Sequence, residues 1–299
     1  MKTTIINITE RKVRRDKAGQ KFSILIPTWN NLPYLQLCIA SILKNSTHAH
    51  QIIVHINEGK DGTYDWVRQQ PGIDYLHSSE NIGICYALNA ATQLAVTDYI
   101  LYLNDDMYVC PGWDAALVKT IERIGHNDFF LASTVIEPLK MSYQIDKDYG
   151  QDLSSFDENK LLKEYMQWPK NEQMGVVRPP NIVHKDIWNL VGGYSTEFSP
   201  GMYSDPDFSM KLWQMGIRLF KSVSESRVYH FGSKSLKRVK RNNGYYQFIS
   251  KWRMTSGTFT RYYMQFGEPY NGLCVPKPIP FFIRVKNRFK YIISGYKAK

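Results

Sequence analysis

From about residue 22 onward the chain alternates short apolar runs with apolar residues at helical spacing. Phe22-Ser23-Ile24-Leu25-Ile26-Pro27 predicts a strand stopped by proline, which has no amide hydrogen for the ladder. Asn30-Asn31 then starts a helical pattern carrying Leu35, Ile39, Ile42 and Leu43. Gln51 to Ile56 and Ile73–His77 read as two further strands, separated by the turn-rich segment Asn57–Thr63 and a short helix. Glu80-Asn81-Ile82-Gly83 opens a helix through Leu88, Ala91 and Ala95. Tyr99–Leu103 is continuously apolar or aromatic, the pattern of a strand buried on both faces, and a helix at Trp113–Ile124 and a strand at Phe129–Val135 follow. Strand and helix alternating at this spacing predict a single α/β domain with a doubly wound, Rossmann-like mixed sheet.

The second half is less regular. Residues 138–173 are polar and mixed and read as an insertion with one helix at Glu158–Trp168. Arg178-Pro179-Pro180-Asn181-Ile182-Val183 reads as an edge strand, where proline is tolerated. Asp205-Pro206-Asp207 begins a helix with Phe208, Leu212 and Met215, and Gly216 ends it. Local chemistry alone accounts for that start, with Asp205 as N-cap, Pro206 at the first helical position and Asp207 facing the helix dipole. Ile217–Tyr229 predicts one or two strands arriving at His230, and Tyr245–Met264 two helical pieces. In the tail, residues 282, 285, 289, 292 and 296 form an apolar stripe, with Arg284, Lys286, Arg288 and Lys290 on the other sides. Such a helix either lies in the headgroup region of an anionic bilayer or docks its stripe on the protein body.

Charge is distributed unevenly along the 299 residues, whose net charge is +11. Residues 1–21 carry seven Lys/Arg against Glu10 and Asp16 and read as a mostly exposed basic leader, whereas residues 22–226 are net acidic. Nine basic residues and no acidic one lie between Arg227 and Gly267, and seven more lie in 277–299. An acidic body with basic ends suits an anionic surface or ligand. No nucleic-acid recognition motif is present, so nucleic acid is not an expected partner. Cys38, Cys85, Cys110 and Cys274 are scattered, without a Cys-x-x-Cys pair, and read as free thiols in a reducing compartment. With no long apolar run and no apolar leader, a cytoplasmic protein is expected.

The candidate chemistry starts where Tyr99–Leu103 runs into Asn104-Asp105-Asp106. In open α/β sheets ligands bind at the carboxyl ends of strands, and a bound cation relieves the repulsion of adjacent carboxylates. An acidic turn capping the next helix is the plainer alternative. The glycines form neither the G-x-G-x-x-G dinucleotide fingerprint nor a phosphate loop, which weighs against NAD-dependent dehydrogenases and P-loop NTPases.

Taken in order, seven segments resemble the family 2 glycosyltransferases, which have the nucleotide-diphospho-sugar transferase (GT-A) fold. They are Ile26-Pro27-Thr28-Trp29-Asn30, Asn57–Thr63, Asn81-Ile82-Gly83 through Asn89, Leu103-Asn104-Asp105-Asp106, Gly192-Gly193-Tyr194, Asp205-Pro206-Asp207 and His230-Phe231-Gly232-Ser233. The resemblance covers about residues 22–235. It divides them into a nucleotide-sugar half (about 22–135) and an acceptor half (about 136–235), with 236–299 as a basic, aromatic extension.

The resemblance implies that Pro27, Thr28, Asn30, Asn57, Glu58 and Asp61 hold base and ribose. It adds Asn81, Gly83, Asn89, Asn104 and Asp105 to the nucleotide-sugar site, and Ser233, Lys234 and Ser235 near the diphosphate. Ile56 stands where the family usually has an aspartate, while Glu58 can accept the imide N–H of uracil or thymine, which favours UDP- or dTDP-sugars. Asn104-Asp105-Asp106 occupies the acidic D-x-D motif, so Asp106, with His230, is the implied contact for Mn²⁺ or Mg²⁺. Asp205 is the implied general base of an inverting transfer, Asp207 its substitute or supporting partner, and Gly193 a residue of the acceptor side. The implied acceptor is a glycan or lipid-linked saccharide in cell-surface polysaccharide synthesis, with the enzyme cytoplasmic or peripheral on the inner face of the plasma membrane. Two other readings are a sugar-phosphate nucleotidyltransferase and a non-catalytic glycan- or membrane-binding protein on the same scaffold. The first needs a Gly-rich basic loop that Pro27–Asn31 does not supply.

Overall fold

In the computed structural model, residues 8–13, 18–139, 141, 143–232 and 242–297 are described. The elements run β1 (Ile8–Arg11), β2 (Gln20–Trp29), α1 (Leu32–Asn45), β3 (Ala49–Asn57), α2 (Thr63–Gln69), β4 (Ile73–Ser78), α3 (Gly83–Thr92), β5 (Tyr99–Tyr102) and β6 (Met107–Val109). They continue with α4 (Trp113–Ile124), β7 (Phe129–Glu137), β8 (Ile145–Asp146), α5 (Glu158–Glu164), β9 (Gln173–Met174), β10 (Asn181–His184) and α6 (Lys185–Leu190). The last are α7 (Ser204–Gln214), β11 (Leu219–His230), α8 (Gly244–Trp252), α9 (Ser256–Tyr262) and α10 (Phe281–Lys297).

One mixed sheet organises the molecule, in the order β1-β4-β3-β2-β5-β10-β7-β11-β6, with β8 added on β7 and β9 on β11. Strands β4, β3, β2 and β5 are parallel, as the strand-helix alternation predicts. Their side chains alternate between two buried layers: Leu25, Ile53, Ile100 and Tyr102 face one core, while Ile24, Ile26, Val54, Leu101 and Leu103 face the other. Burial on both faces explains why these strands read as continuous apolar runs.

Several expectations change. The 1–21 leader is not wholly exposed chain: β1 pairs antiparallel with β4, and the Arg11 guanidinium bonds the carbonyls of Arg68, Gln70 and Ile73 at 2.6, 2.6 and 2.9 Å. The segment after Pro179-Pro180 is not at an edge. β10 lies inside the sheet, antiparallel to both β5 and β7. The prolines precede the ladder, so they remove no hydrogen bond from it, and the Pro180 carbonyl still accepts from the Ser133 amide. Leu43 leaves the α1 core face and is 73% exposed. Helix α7 begins two residues early, with Tyr203 at the N-cap, so Asp205 lies within the first turn rather than capping it.

The insertion 138–173 builds its own small core of Tyr149 and Leu161 against Tyr108, Tyr229 and Phe231. Phe248, Phe259 and Met264 of the C-terminal extension join the same core as Phe208 and Trp213. All four cysteines are free and buried. Among the described residues, no helix is long and apolar enough to cross a membrane.

Candidate active site

The carboxyl ends of the central strands open into a cavity of about 590 Å³. Its floor is set by sheet register. Trp29 at the end of β2 pairs with Asn57 at the end of β3, while β5 runs beside β2 and releases Asn104-Asp105-Asp106 into the turn before β6. Pro27, Thr28, Asn57, Asn81, Gly83, Asn104, Asp105, Asp106, Asp205 and His230 all line this cavity. The Thr28 hydroxyl donates to Asp105 Oδ2 at 2.7 Å, fixing one carboxylate of the acidic pair. Asn57 ties three elements together: its Oδ1 accepts from the Ile82 amide at 3.0 Å and the Ser78 hydroxyl at 3.3 Å, and its Nδ2 donates to the Thr28 carbonyl. Asn81 Oδ1 accepts from the Gly83 amide at 2.9 Å, shaping the entry to α3. Gly83 has φ +78°, and a Cβ there would come within 2.7 Å of Pro200 Cα, so the loop carrying Asp205 can reach the donor side only over glycine.

Asp106 and His230 are distant in sequence but adjacent in the sheet, because His230 pairs with Met107 across the antiparallel β11–β6 ladder. His230 Nε2 lies 3.3 Å from Asp106 Oδ1, and its Nδ1 lies 3.1 Å from Glu137 Oε2 at the end of β7. Burial works against the imidazolium, but the hydrogen bonds and charges of Asp106 and Glu137 outweigh it and raise the His230 pKa to about 9. A carboxylate behind one ring nitrogen is the usual support for a metal-ligating histidine. Among the described residues no group of three or more His, Cys, Asp and Glu side chains could hold a metal ion by itself. An Asp–His pair with open positions nonetheless suits a divalent cation completed by substrate phosphates, and the imidazole favours Mn²⁺ over Mg²⁺.

Asp205 lines the same cavity as this cluster. Tyr194 donates its hydroxyl to Asp205 Oδ1 at 3.1 Å. Desolvation among the surrounding side chains pushes the Asp205 carboxyl up to about 7, against the Tyr194 hydrogen bond and the Arg178 charge. Although part of its surface opens to the cavity, the aromatic wall leaves it little water. Tyr194 itself stacks on Phe208 with centroids 4.7 Å apart and is clamped by Asn89, which bonds the Tyr194 amide at 2.8 Å and carbonyl at 2.7 Å. Gly193 makes that clamp possible, since a Cβ would lie 2.3 Å from Asn89 Oδ1.

The remaining expected residues lie elsewhere. Asp61 does not line the cavity; it accepts from the Leu32 and Thr63 amides at 2.8 and 3.1 Å and so starts α1 and α2. Glu58 is likewise outside, where burial is outweighed by hydrogen bonds from Asn30, Trp29 and Lys60 that hold its carboxyl below the usual range. Asn30 is used on Glu58 and on the Lys60 amide. Asn89 and Gly193 act behind the cavity through Tyr194. Asp207 is buried on the far side of α7, bonded to Ser195 Oγ at 2.6 Å, Trp252 Nε1 at 2.8 Å and Lys251 Nζ at 3.0 Å. It is therefore a structural anchor rather than a substitute base. Ser233, Lys234 and Ser235 fall outside the described residues.

Sequence reasoning missed Glu137 and Arg178. A carboxylate at a strand's carboxyl end was the available signal for Glu137. Arg178 sits exposed at the cavity rim, with its guanidinium over the Tyr143 ring at 5.1 Å.

The model of glycosyl transferase family 2 matches residues 23–186. Among solved structures, S. aureus TarS 1-349 shares the fold with a TM-score of 0.56 and 12% identity, over 93% of this chain and 72% of that one. The complex of TarS 1-349 with UDP gives 0.55 and 12%, over 77% and 64% of the two chains. GalNAc-T7 with UDP, GalNAc and Mn²⁺ gives 0.53 and 16%, over 77% and 45%. No curated protein matches the chain. At these identities the structures establish the fold, and the family match, which spans more than half of the chain, establishes membership. The protein belongs to glycosyl transferase family 2 and is a glycosyltransferase of GT-A fold.

Proposed function

We propose that this glycosyltransferase moves a sugar, with inversion, from a nucleotide-diphosphate donor to a hydroxyl of a glycan or lipid-linked saccharide in cell-surface polysaccharide synthesis. The observation that carries the proposal is Asp205. It is a carboxylate with a pKa of about 7, in the same cavity as Asp105, Asp106 and His230. A general base works best when its pKa lies near the operating pH, and this one is tuned there by burial. It takes the proton of the acceptor hydroxyl as that oxygen attacks the anomeric carbon, and the single displacement inverts the centre. Tyr194 holds the carboxylate oxygen in place through the transfer.

On the donor side, Thr28, Asn57 and Asp105 form the polar edge for nucleoside and ribose. The TarS complex with UDP and the GalNAc-T7 complex with UDP support a uridine donor, with dTDP-sugars as the other candidate. Asp106 and His230 would hold Mn²⁺ or Mg²⁺, and a cation bound there supplies Lewis-acid neutralisation of the leaving diphosphate. Arg178 adds a fixed positive charge at the rim. Apart from His230, the donor side falls to residues about 22–135 and the acceptor side to about 136–235.

The test is Asp205→Asn, assayed for transfer and, by calorimetry, for UDP binding with Mn²⁺. Lost transfer with retained nucleotide binding is the expected result; near-normal turnover would overturn the assignment of the base. Nucleotide binding that survives EDTA unchanged would overturn the metal assignment alone.

A further inference from the structure

Helix α10 docks the wrong way round for a helix that serves only the core. Ile283, Asn287, Tyr291 and Ser294 recur at helical spacing and face the body, with Asn287 and Ser294 buried. Asn287 Oδ1 accepts from the Thr255 amide at 3.3 Å, and its Nδ2 donates to Thr258 Oγ1 at 3.1 Å. Lys290 bonds the Tyr245 hydroxyl of α8, and the Arg253 guanidinium lies over the Tyr291 ring at 5.6 Å. At about 100° per residue, Phe282, Val285, Phe289, Ile292 and Tyr296 point roughly opposite. They are in solvent: Phe282 is 68%, Phe289 64% and Tyr296 85% exposed. A large contiguous apolar stripe of this kind marks an interaction surface.

What covers it is set by charge. Arg284 and Arg288 flank one side of the stripe by helical phase, and Lys286, Lys290 and Lys297 flank the other. No acidic residue occurs between Glu268 and the chain's last residue, Lys299. A second copy pairing its own α10 on this face would therefore oppose cation to cation. Beside the helix, a cleft of about 200 Å³ between α9 and α10 gathers Arg261, Lys286 and Lys290. Three cations around a cleft this small present an anion site, and Lys286, which lines it, also flanks the stripe. Cationic flanks around an apolar face are the arrangement of helices that lie in the interface of an anionic bilayer.

We propose that α10 seats the protein on an anionic lipid surface, its Phe282–Tyr296 stripe entering the acyl boundary and the Arg261–Lys286–Lys290 cleft receiving a lipid phosphate. The seat is separate from the active-site cavity, and the inference does not depend on Asp205 or on the metal assignment.

The test is co-sedimentation of the full chain with vesicles of equimolar phosphatidylglycerol and phosphatidylcholine, against vesicles of phosphatidylcholine alone. Wild-type protein is expected to bind the first and leave the second. The variant Phe282→Ser/Phe289→Ser/Ile292→Ser is expected to lose more than tenfold in vesicle affinity, with unchanged Tm and unchanged hydrolysis of a soluble donor. The variant Arg261→Gln/Lys286→Gln is expected to bind about fivefold more weakly for each cation removed. Equal binding to both vesicle types, or none to either, would overturn the proposal. So would a dimer in light scattering that the triple Ser variant makes monomeric, which would assign the stripe to a second copy. If inorganic phosphate occupies the cleft but leaves vesicle binding untouched, the cleft is a free-anion site and the headgroup part is wrong.

Discussion

The two faces of α7 carry two aspartates with opposite fates. Asp205 and Asp207 are separated by a single proline, yet side chains two apart on a helix point about 200° from one another. Asp205 reaches the cavity with one hydrogen bond, from Tyr194, and its carboxyl is pushed up to about 7. Asp207 turns inward, is fully buried, and takes bonds from Ser195, Trp252 and Lys251. Both are largely desolvated, Asp205 with part of its surface still open to the cavity, so desolvation alone does not distinguish them. Partner supply does. The satisfied one anchors α8 to α7, and the under-satisfied one keeps a basic lone pair for a substrate.

Asp205→Asn breaks the comparison most sharply. Loss of a general base costs about 10²–10⁴ in rate, so kcat should fall on that scale with no loss of Tm. Stability should also change with pH in a definite direction. The folded pKa of wild-type Asp205 lies above its unfolded value, so its contribution is fully present in acid and is lost as pH rises through about 7. Asp205→Asn, which cannot ionise, should therefore gain Tm relative to wild type above pH 7 and lose that advantage in acid. An unchanged Tm difference across that range would count against a raised Asp205 pKa.

The partner experiment is Asp207→Ala. It removes one acceptor from three donors, although Lys251 keeps the Glu197 carboxylate at 2.8 Å and Ser195 Oγ at 3.0 Å. Two part-buried donors left without an acceptor, at Ser195 and Trp252, together cost about 3 kcal/mol, read as a lower urea midpoint at unchanged slope. Residual folded protein should keep most of its kcat. A large loss of kcat in well-folded Asp207→Ala would make Asp207 part of the chemistry after all. Gly193→Ala falls between the two: its added Cβ meets Asn89 Oδ1 at a φ of +60°, so Tyr194 must shift and kcat should fall about tenfold with modest destabilisation.

How much of this the sequence disclosed depends on where each residue finds its partners. The parallel strands were legible because burial on both faces leaves continuous apolar runs, and Asn104-Asp105-Asp106 was legible as a polar break at the end of one. The place of β10 was not, because a short buried run looks the same parallel or antiparallel, central or at an edge. Glu58 and Asp61 carry the right chemistry for a base pocket but spend it on Asn30, Trp29, Leu32 and Thr63, donors that folding brings to them. Glu137 was legible only as a carboxylate at a strand's end, since the β7–β11 register, with Tyr229 opposite Ile136, is what sets it beside His230. For α10 the periodicity announced an amphipathic helix but not which face docks. Asn287, bonded at Thr255 and Thr258, turned the polar side inward.

The smallest expected effect is also the most specific. Tyr194→Phe removes the hydroxyl that donates to Asp205 Oδ1 and keeps the ring against Phe208 and Trp188. Because that bond favours the ionised carboxylate, removing it should raise the pKa of Asp205 further. A hydrogen bond to a charged group is worth about 1.5–3 kcal/mol, so the acidic limb of kcat/KM should move up by roughly one to two pH units. Activity at alkaline pH should approach wild type, since above the shifted limb the base is ionised in both proteins. A merely structural Tyr194 would lower the rate equally at every pH. Parallel profiles would therefore separate Tyr194 from the base and leave Asp205 tuned by burial alone.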